Sequence, residues 1–192
     1  MVTSQVAYLG LLALVGAERL VELALSRRNA ARAFARGGVE LGRGHFGAMR
    51  ALHAGFLASC ALEVVLLDRG FDPRVGFPML ALALAAQALR YWAIASLGDR
   101  WNVRVIVVPG EPVVTTGPYR WLRHPNYAAV ALEGVALPLV HGAWCTAIAF
   151  TLLDAWLLRT RIAVEERALA EHCDGDARLG DRPRLVPARS AR

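Results

Sequence analysis

Residues 127–158 read YAAVALEGVALPLVHGAWCTAIAFTLLDAWLL, an apolar stretch broken near its middle by Pro138, His141 and Gly142. It is too long for one ordinary membrane crossing, which takes about 20 apolar residues to traverse about 30 Å of hydrocarbon. The break predicts a tight hairpin of two short helices. A single kinked or strongly tilted span is the rival, because each arm alone falls short of a full crossing.

Three more apolar blocks lie upstream, at residues 6–25, 51–67 and 75–97, each near the length of one span. Their charged and amide residues are few: Glu18, Arg19 and Glu22 in the second half of the first, Glu63 in the second, Gln87 and Arg90 in the third. Hydrophobic residues make up 56% of the chain and charged residues 20%. Because the apolar ones are gathered in blocks rather than scattered, a soluble helical bundle is disfavoured. The first block lacks the basic start and the small-residue cleavage site of a signal peptide, so it reads as a retained span. The sequence therefore predicts an all-α integral membrane protein of five transmembrane helices, the last two forming a C-terminal helical hairpin.

Arginine sets the expected orientation. Arg27, Arg28, Arg32, Arg36, Arg43 and Arg50 follow the first block, Arg100, Arg104, Arg120 and Arg123 the third, and Arg159, Arg161 and Arg167 close the last region. The links at 68–74 and 140–143 carry balanced charge or no arginine. The positive-inside rule then places a multi-pass chain in a cytoplasmic membrane with its N-terminus outside and its C-terminus cytoplasmic. All 22 basic residues are arginine and the net charge is +6. Attraction to anionic membrane lipid accounts for that charge; with no zinc-finger spacing or aromatic-basic surface, nucleic acid is not an expected partner. Cys60, Cys145 and Cys173 show no paired ligand spacing, and His45, His53, His124, His141 and His172 are dispersed, so no metal site is expected.

The polar middle carries the chemistry. Residues 98–127 read GDRWNVRVIVVPGEPVVTTGPYRWLRHPNY, in which 103–108 suits a short strand and the prolines and glycines enforce turns. Pro125 can occupy the first helical turn, where a missing amide costs nothing. His124 and the neighbouring amides then stand at a positive helix end suited to an anion; the bland alternative is an interfacial anchor whose arginines meet lipid phosphate. Further on, Arg161 and Glu165 are four apart and share a helix face, while Glu166 turns about 100° away. One acid can thus meet a ligand while the other holds an arginine. Glu133 and Glu63, carboxylates within apolar segments, read as structural pairs before catalytic groups.

Gly117-Pro118-Tyr119-Arg120, then Arg123-His124-Pro125-Asn126-Tyr127, then Arg161 with Glu165-Glu166, resemble in order and spacing the cofactor half of the isoprenylcysteine carboxyl methyltransferase superfamily. Arg90, Leu97-Gly98, Trp101-Asn102 and Ile106 to Gly110 make the chain similar to a small bacterial branch linked to type III polyketide synthases, though His45 to Met49 departs from its more aromatic form. The resemblance implies S-adenosylmethionine as donor, bound by Gly117, Pro118, Tyr119, Arg120, His124, Pro125, Tyr127, Glu165 and Glu166, with Arg90 and Asn102 on the acceptor side. Snorkelling and loop capping are the plain alternatives for those last two. It also implies a division into a three-helix membrane region at 1–97, a cofactor-binding loop, hairpin and Glu-Glu element at 98–170, and a flexible cytoplasmic tail at 171–192. The implied reaction is O-methylation of a lipophilic small molecule, an alkylpyrone or related long-chain polyketide with an acidic hydroxyl. Methylation of a prenylcysteine or other lipophilic carboxyl group is the enzyme alternative, and a lipid-binding scaffold the non-enzymatic one.

Overall fold

In the computed structural model, which describes residues 2–174, 179–180 and 182–186, five α-helices follow one another. They are α1 (Val2–Ala35), α2 (Arg43–Leu66), α3 (Pro73–Leu97), α4 (Pro125–Leu139) and α5 (Trp144–His172). Asp72 starts α3 by accepting the Arg74 amide at 3.0 Å, with Pro73 in the first turn. The first amides of α5 are capped from another helix: Glu63 of α2 accepts from the amides of Cys145 at 3.1 Å and Thr146 at 2.7 Å, and from the Thr146 hydroxyl at 2.8 Å.

The main core gathers Tyr8 and Leu12 of α1, Phe56, Cys60 and Val64 of α2, and Leu137 and Phe150 of the hairpin. Gly134 allows the hairpin to close, since a Cβ there would stand 2.5 Å from the Phe150 ring. Beside the helices, β1 (Val39–Leu41) pairs antiparallel with β2 (Val105–Val107), Val39 opposite Val107. Val105 and Val107 pack on Ala168 of α5. The link between α1 and α2 and the loop after α3 are thereby tied to the end of α5, where the polar residues gather.

The expectation of five transmembrane helices is corrected. Two helical segments, Phe46–Leu66 and Pro73–Arg100, are long and apolar enough to cross a membrane, and 22% and 17% of their apolar windows are buried in the protein. A soluble core helix would be mostly buried, so these faces point outward as membrane segments do. The other helices fall short for identifiable reasons. In α1 the apolar block runs into Glu18, Arg19 and Glu22; α5 carries Asp154, Arg159 and Arg161. With 15 residues, α4 is about 22 Å long at 1.5 Å per residue, short of a hydrocarbon core of about 30 Å. The hairpin is formed, but neither arm is both long and apolar enough to pass as a full crossing by itself.

Candidate active site

The loop after α3 folds back onto that helix. Gly117 adopts a φ of +58° against Trp92 and Ser96, and a Cβ would lie 2.0 Å from the Ser96 hydroxyl. Any side chain there would be both strained and displaced. Pro118, Tyr119 and Arg120 continue in a tight turn, and His124 with Pro125 opens α4.

His124, 3% exposed, turns one ring nitrogen toward each of two acids: Nδ1 is 3.6 Å from Glu165 and Nε2 is 3.3 Å from Glu166. Tyr127 stacks on the imidazole with ring centroids 5.3 Å apart. Its hydroxyl donates to Glu165 and accepts from Nε of Arg161 at 2.6 Å. Arg161 is itself buried, donates to the Val103 carbonyl and lies 3.8 Å from Sδ of Met49. Burial disfavours charge on His124, yet the hydrogen bonds and charges of Glu165 and Glu166 outweigh it and raise its pKa. Burial also pushes Glu165 upward, but the hydrogen bond and charge of His124, with Arg161 and Tyr127, hold it at about 2. Glu166 is lowered against burial chiefly by Arg184, with help from His124. The result is a histidine held between two carboxylates that favour its protonated form.

Glu165 opens onto a cleft whose apolar wall is made by Val105, Val107, Leu169 and Leu179 and whose polar groups include Asn102, Arg104 and Arg123. Tyr119 also lines it, whereas His124, Pro125 and Tyr127 stand behind Glu165 and Gly117 and Pro118 hold the turn. Arg120 is exposed, with its guanidinium 5.0 Å from the Trp121 ring. Glu166 is outside the cleft lining and binds Arg184 through both oxygens, at 2.9 and 2.6 Å.

The two acceptor-side candidates separate. Asn102 lines the cleft with its amide occupied: it accepts from the Ser26 hydroxyl at 2.7 Å and the Arg104 amide at 3.0 Å, and donates to the Ser26 carbonyl at 3.1 Å. Arg90 lies inside the helix bundle, with two nitrogens each 2.7 Å from the Glu22 carboxylate.

Several cleft residues were not singled out from sequence. Arg123 belongs to the motif, but nothing in its spacing marks it as a cleft residue. Arg104 adjoins β2, and Leu179 has no signal beyond being one apolar residue in a charged tail. The tail also answers the amides offered to an anion: Arg123 and His124 donate to the carbonyls of Pro183 and Arg184 at 3.0 Å each. Leu185 packs beside Tyr127, Leu158 and Ile162. Residues 175–178, 181 and 187–192 of the 171–192 segment lie outside the described residues.

A sequence profile of the isoprenylcysteine carboxyl methyltransferase family matches residues 79–171, from within α3 through the cleft loop to the end of α5. The Bacillus subtilis protein YpbQ is 37% identical over 163 residues, covering 84% of this chain and 96% of its own. The chain belongs to the isoprenylcysteine carboxyl methyltransferase family. An uncharacterized Haemophilus influenzae protein is 25% identical over 155 residues, 79% of this chain and 88% of that one. This methyltransferase is a membrane enzyme whose methyl donor is S-adenosylmethionine.

The chemistry of the cleft fits that donor. A partly exposed carboxylate at Glu165 suits an amine or ribose hydroxyls and the apolar wall suits a flat base; Arg104, which meets Glu40 at 3.1 Å, and Arg123, which meets Glu166 at 3.5 Å and the Arg182 carbonyl at 2.9 Å, bring the positive charge a carboxylate would share. Next to the cluster, Oδ1 of Asn126 is buried with no hydrogen-bond partner among the described residues. An unanswered acceptor of this kind is the sort of group a polar ligand satisfies.

Proposed function

We propose that this methyltransferase moves a methyl group onto an oxygen of a lipophilic acceptor, with the donor seated beside Glu165. The observation that carries the reading is Glu165 itself. Its side chain keeps 29% of its surface and lines the cleft, while Tyr127 and His124 hold it from behind. Negative charge is thereby fixed in place before any ligand arrives, which reduces the reorganisation that binding would otherwise require.

When bound, S-adenosylmethionine supplies an electrophilic methyl group on a sulfonium. Glu165 receives the donor's amine or ribose hydroxyls, and Arg123 and Arg104 receive its carboxylate. Arg120 contributes to the turn and the Trp121 contact. His124, Tyr127 and Glu166 position Glu165 and the start of α4, with Gly117, Pro118, Tyr119 and Pro125 shaping that wall. No nucleophilic triad is needed for an acceptor that is already anionic; alignment of the reactants contributes on the order of several kcal/mol. The tail of the acceptor stays among the apolar helices, where each CH₂ removed from water is worth about 0.8 kcal/mol.

The family favours a lipophilic carboxylate, of the prenylcysteine type, as acceptor. A hydroxyl on an alkylpyrone or similar product of a type III polyketide synthase is the second reading, carried by the motif resemblance of Arg90, Trp101-Asn102 and Ile106 to Gly110. The arginines around the cleft support a cytoplasmic position for the 98–123 loop. Gln5 bonds Asp68 at 3.0 Å in the turn between α2 and α3, which supports an outer position for the start of the chain.

The test is lipid-reconstituted protein supplied with methyl-labelled S-adenosylmethionine and separate prenylcysteines, fatty acids, alkylpyrones and alkylresorcinols. Mass spectrometry of the product is expected to show one oxygen-methylated class. Unchanged donor affinity in Glu165→Gln would remove the proposed seat.

A further inference from the structure

The arginines that follow α3 are used differently. Arg100 meets Glu111 at 3.3 Å, Arg104 meets Glu40 at 3.1 Å, and Arg123 meets Glu166 at 3.5 Å and the Arg182 carbonyl at 2.9 Å. Arg120 is exposed and has no carboxylate or carbonyl partner among the described residues; its guanidinium lies 5.0 Å from the centroid of the Trp121 ring. Trp121 in turn meets Trp92 of α3 edge to face, with centroids 5.6 Å apart. The two indoles are 50% and 47% exposed.

Arg120, Trp121 and Trp92 thus form one outward patch, and α3 sets its depth. Phe77, Leu84, Tyr91 and Trp92 are exposed along α3, and beyond Trp92 no large apolar side chain of that helix is. From Pro73 to Trp92 the helix runs about 20 residues, or about 30 Å, one hydrocarbon thickness. Trp92 therefore stands where hydrocarbon gives way to head groups, the level at which tryptophan rings concentrate. Leu97, Asp99 and Arg100, further along the chain, line the donor cleft, so the patch lies on the same side of the membrane as that cleft.

Patch and cleft share one turn of chain. Gly117 seats the turn against Ser96 and Trp92. The Tyr119 amide donates to the Thr116 carbonyl at 3.2 Å and the Trp121 amide to that of Pro118 at 3.1 Å, which makes the turn short and stiff. Within it Tyr119, 7% exposed, goes inward and lines the cleft, as Glu165 does, while Arg120 and Trp121 go outward.

We propose that this patch binds the head group of an anionic phospholipid, with Arg120 on the phosphate and the indoles of Trp92 and Trp121 beside the glycerol, and that the bound lipid steadies the Tyr119 wall of the donor cleft. An anion fits because Arg120 brings a charge that no carboxylate among the described residues meets. A lipid fits because the patch continues the outward apolar face of α3, a helix whose apolar window is 17% buried. The lipid contact stands without the methyl-transfer reading; its effect on donor affinity rests on that reading. Lipid and donor must then raise each other's affinity by the same factor.

The experiment uses the full chain in phosphatidylcholine nanodiscs. Brominated phosphatidylglycerol or brominated phosphatidylcholine is titrated in and read by quenching of tryptophan emission. Donor Kd is measured with and without phosphatidylglycerol. Phosphatidylglycerol is expected to bind about fivefold more tightly than phosphatidylcholine, the attraction of one arginine for an anionic lipid surface, and to raise donor affinity about fivefold. Both gains are expected to vanish in Arg120→Gln and to persist in Arg28→Gln, which removes another exposed arginine. High salt is expected to abolish the parent's lipid preference. Should Arg120→Gln fail to fold, Trp121→Leu tests the patch through its ring and is expected to lose the gain in donor affinity.

A preference for phosphatidylglycerol in Arg120→Gln equal to the parent's, its loss in Arg28→Gln as well, or an equal gain from inorganic phosphate would overturn the proposal. Lipid preference with no change in donor affinity would overturn the coupling. Lipid preference confined to Arg120 with no donor binding in any nanodisc would support the lipid site and sink the donor seat.

Discussion

Around Arg90, inside the bundle, the carboxylate of Glu22 is met at 2.7 Å by two guanidinium groups; around His124, at the ends of α4 and α5, Glu165 is bonded from behind and keeps 29% of its side chain open to a cleft. Both clusters bury charge, at a desolvation cost that pairing only partly offsets. The bundle network satisfies its groups with one another and so fixes which helix faces meet. The His124 cluster holds Glu165 from behind and leaves part of its carboxylate surface facing the cleft, and that open face is what a polar ligand can meet. The difference separates charge used for assembly from charge held ready for binding.

The largest effect should come from breaking the bundle pair. Glu22→Gln leaves Arg90, 8% exposed, without its main counter-charge and is expected to cost about 3–5 kcal/mol in detergent unfolding, with donor affinity of the folded protein unchanged. A loss of donor affinity there would break the comparison. Glu165→Gln is expected to act the other way round, raising the donor Kd by about 10- to 100-fold, the worth of a hydrogen bond to a charged group, as read by calorimetry.

The third effect is pH dependence of the His124 cluster. Glu165 is depressed from 4.5 to about 2, so its contribution is full above 4.5 and is lost as pH falls toward 2. His124 is raised above 6.5, so its contribution is full below 6.5 and is lost as pH rises through its folded value. Melting temperature against pH is expected to show the cluster's support greatest between 4.5 and 6.5, and His124→Gln to flatten the alkaline fall. The smallest effect belongs to Arg184→Ala. That arginine is 63% exposed, so its pair with Glu166 is expected to contribute at most about 1 kcal/mol to stability, less at high salt.

Much of this site could be read from local rules. A spacing of four put Arg161 and Glu165 on one face, and in the fold both reach the Tyr127 hydroxyl. Pro138 and Gly142 marked the hairpin turn. The number of crossings could not be read that way, because block length does not reveal which charges are answered from other helices. Glu18, Arg19 and Glu22 of α1 are met by Gln87, Arg90 and Glu133, partners far away in sequence. Arg120 and Arg123 look equivalent in the motif, yet the chain turns between them and sends one to the Trp121 ring and the other to the cleft. Leu179 and Arg184 sit in a polar stretch with no periodicity, so their places depend on tertiary contacts alone.

The carbonyls of Pro183 and Arg184 occupy the amides of Arg123 and His124, at a helix start of the kind that ordinarily attracts anions. Any ligand group that used those amides would compete with a segment of the same chain, present at an effective concentration on the order of millimolar. The affinity measured for such a ligand would be the net of an exchange. Shortening the chain ahead of Arg182 would then alter occupancy by removing a competitor, without changing a single residue that lines the cleft below Leu179.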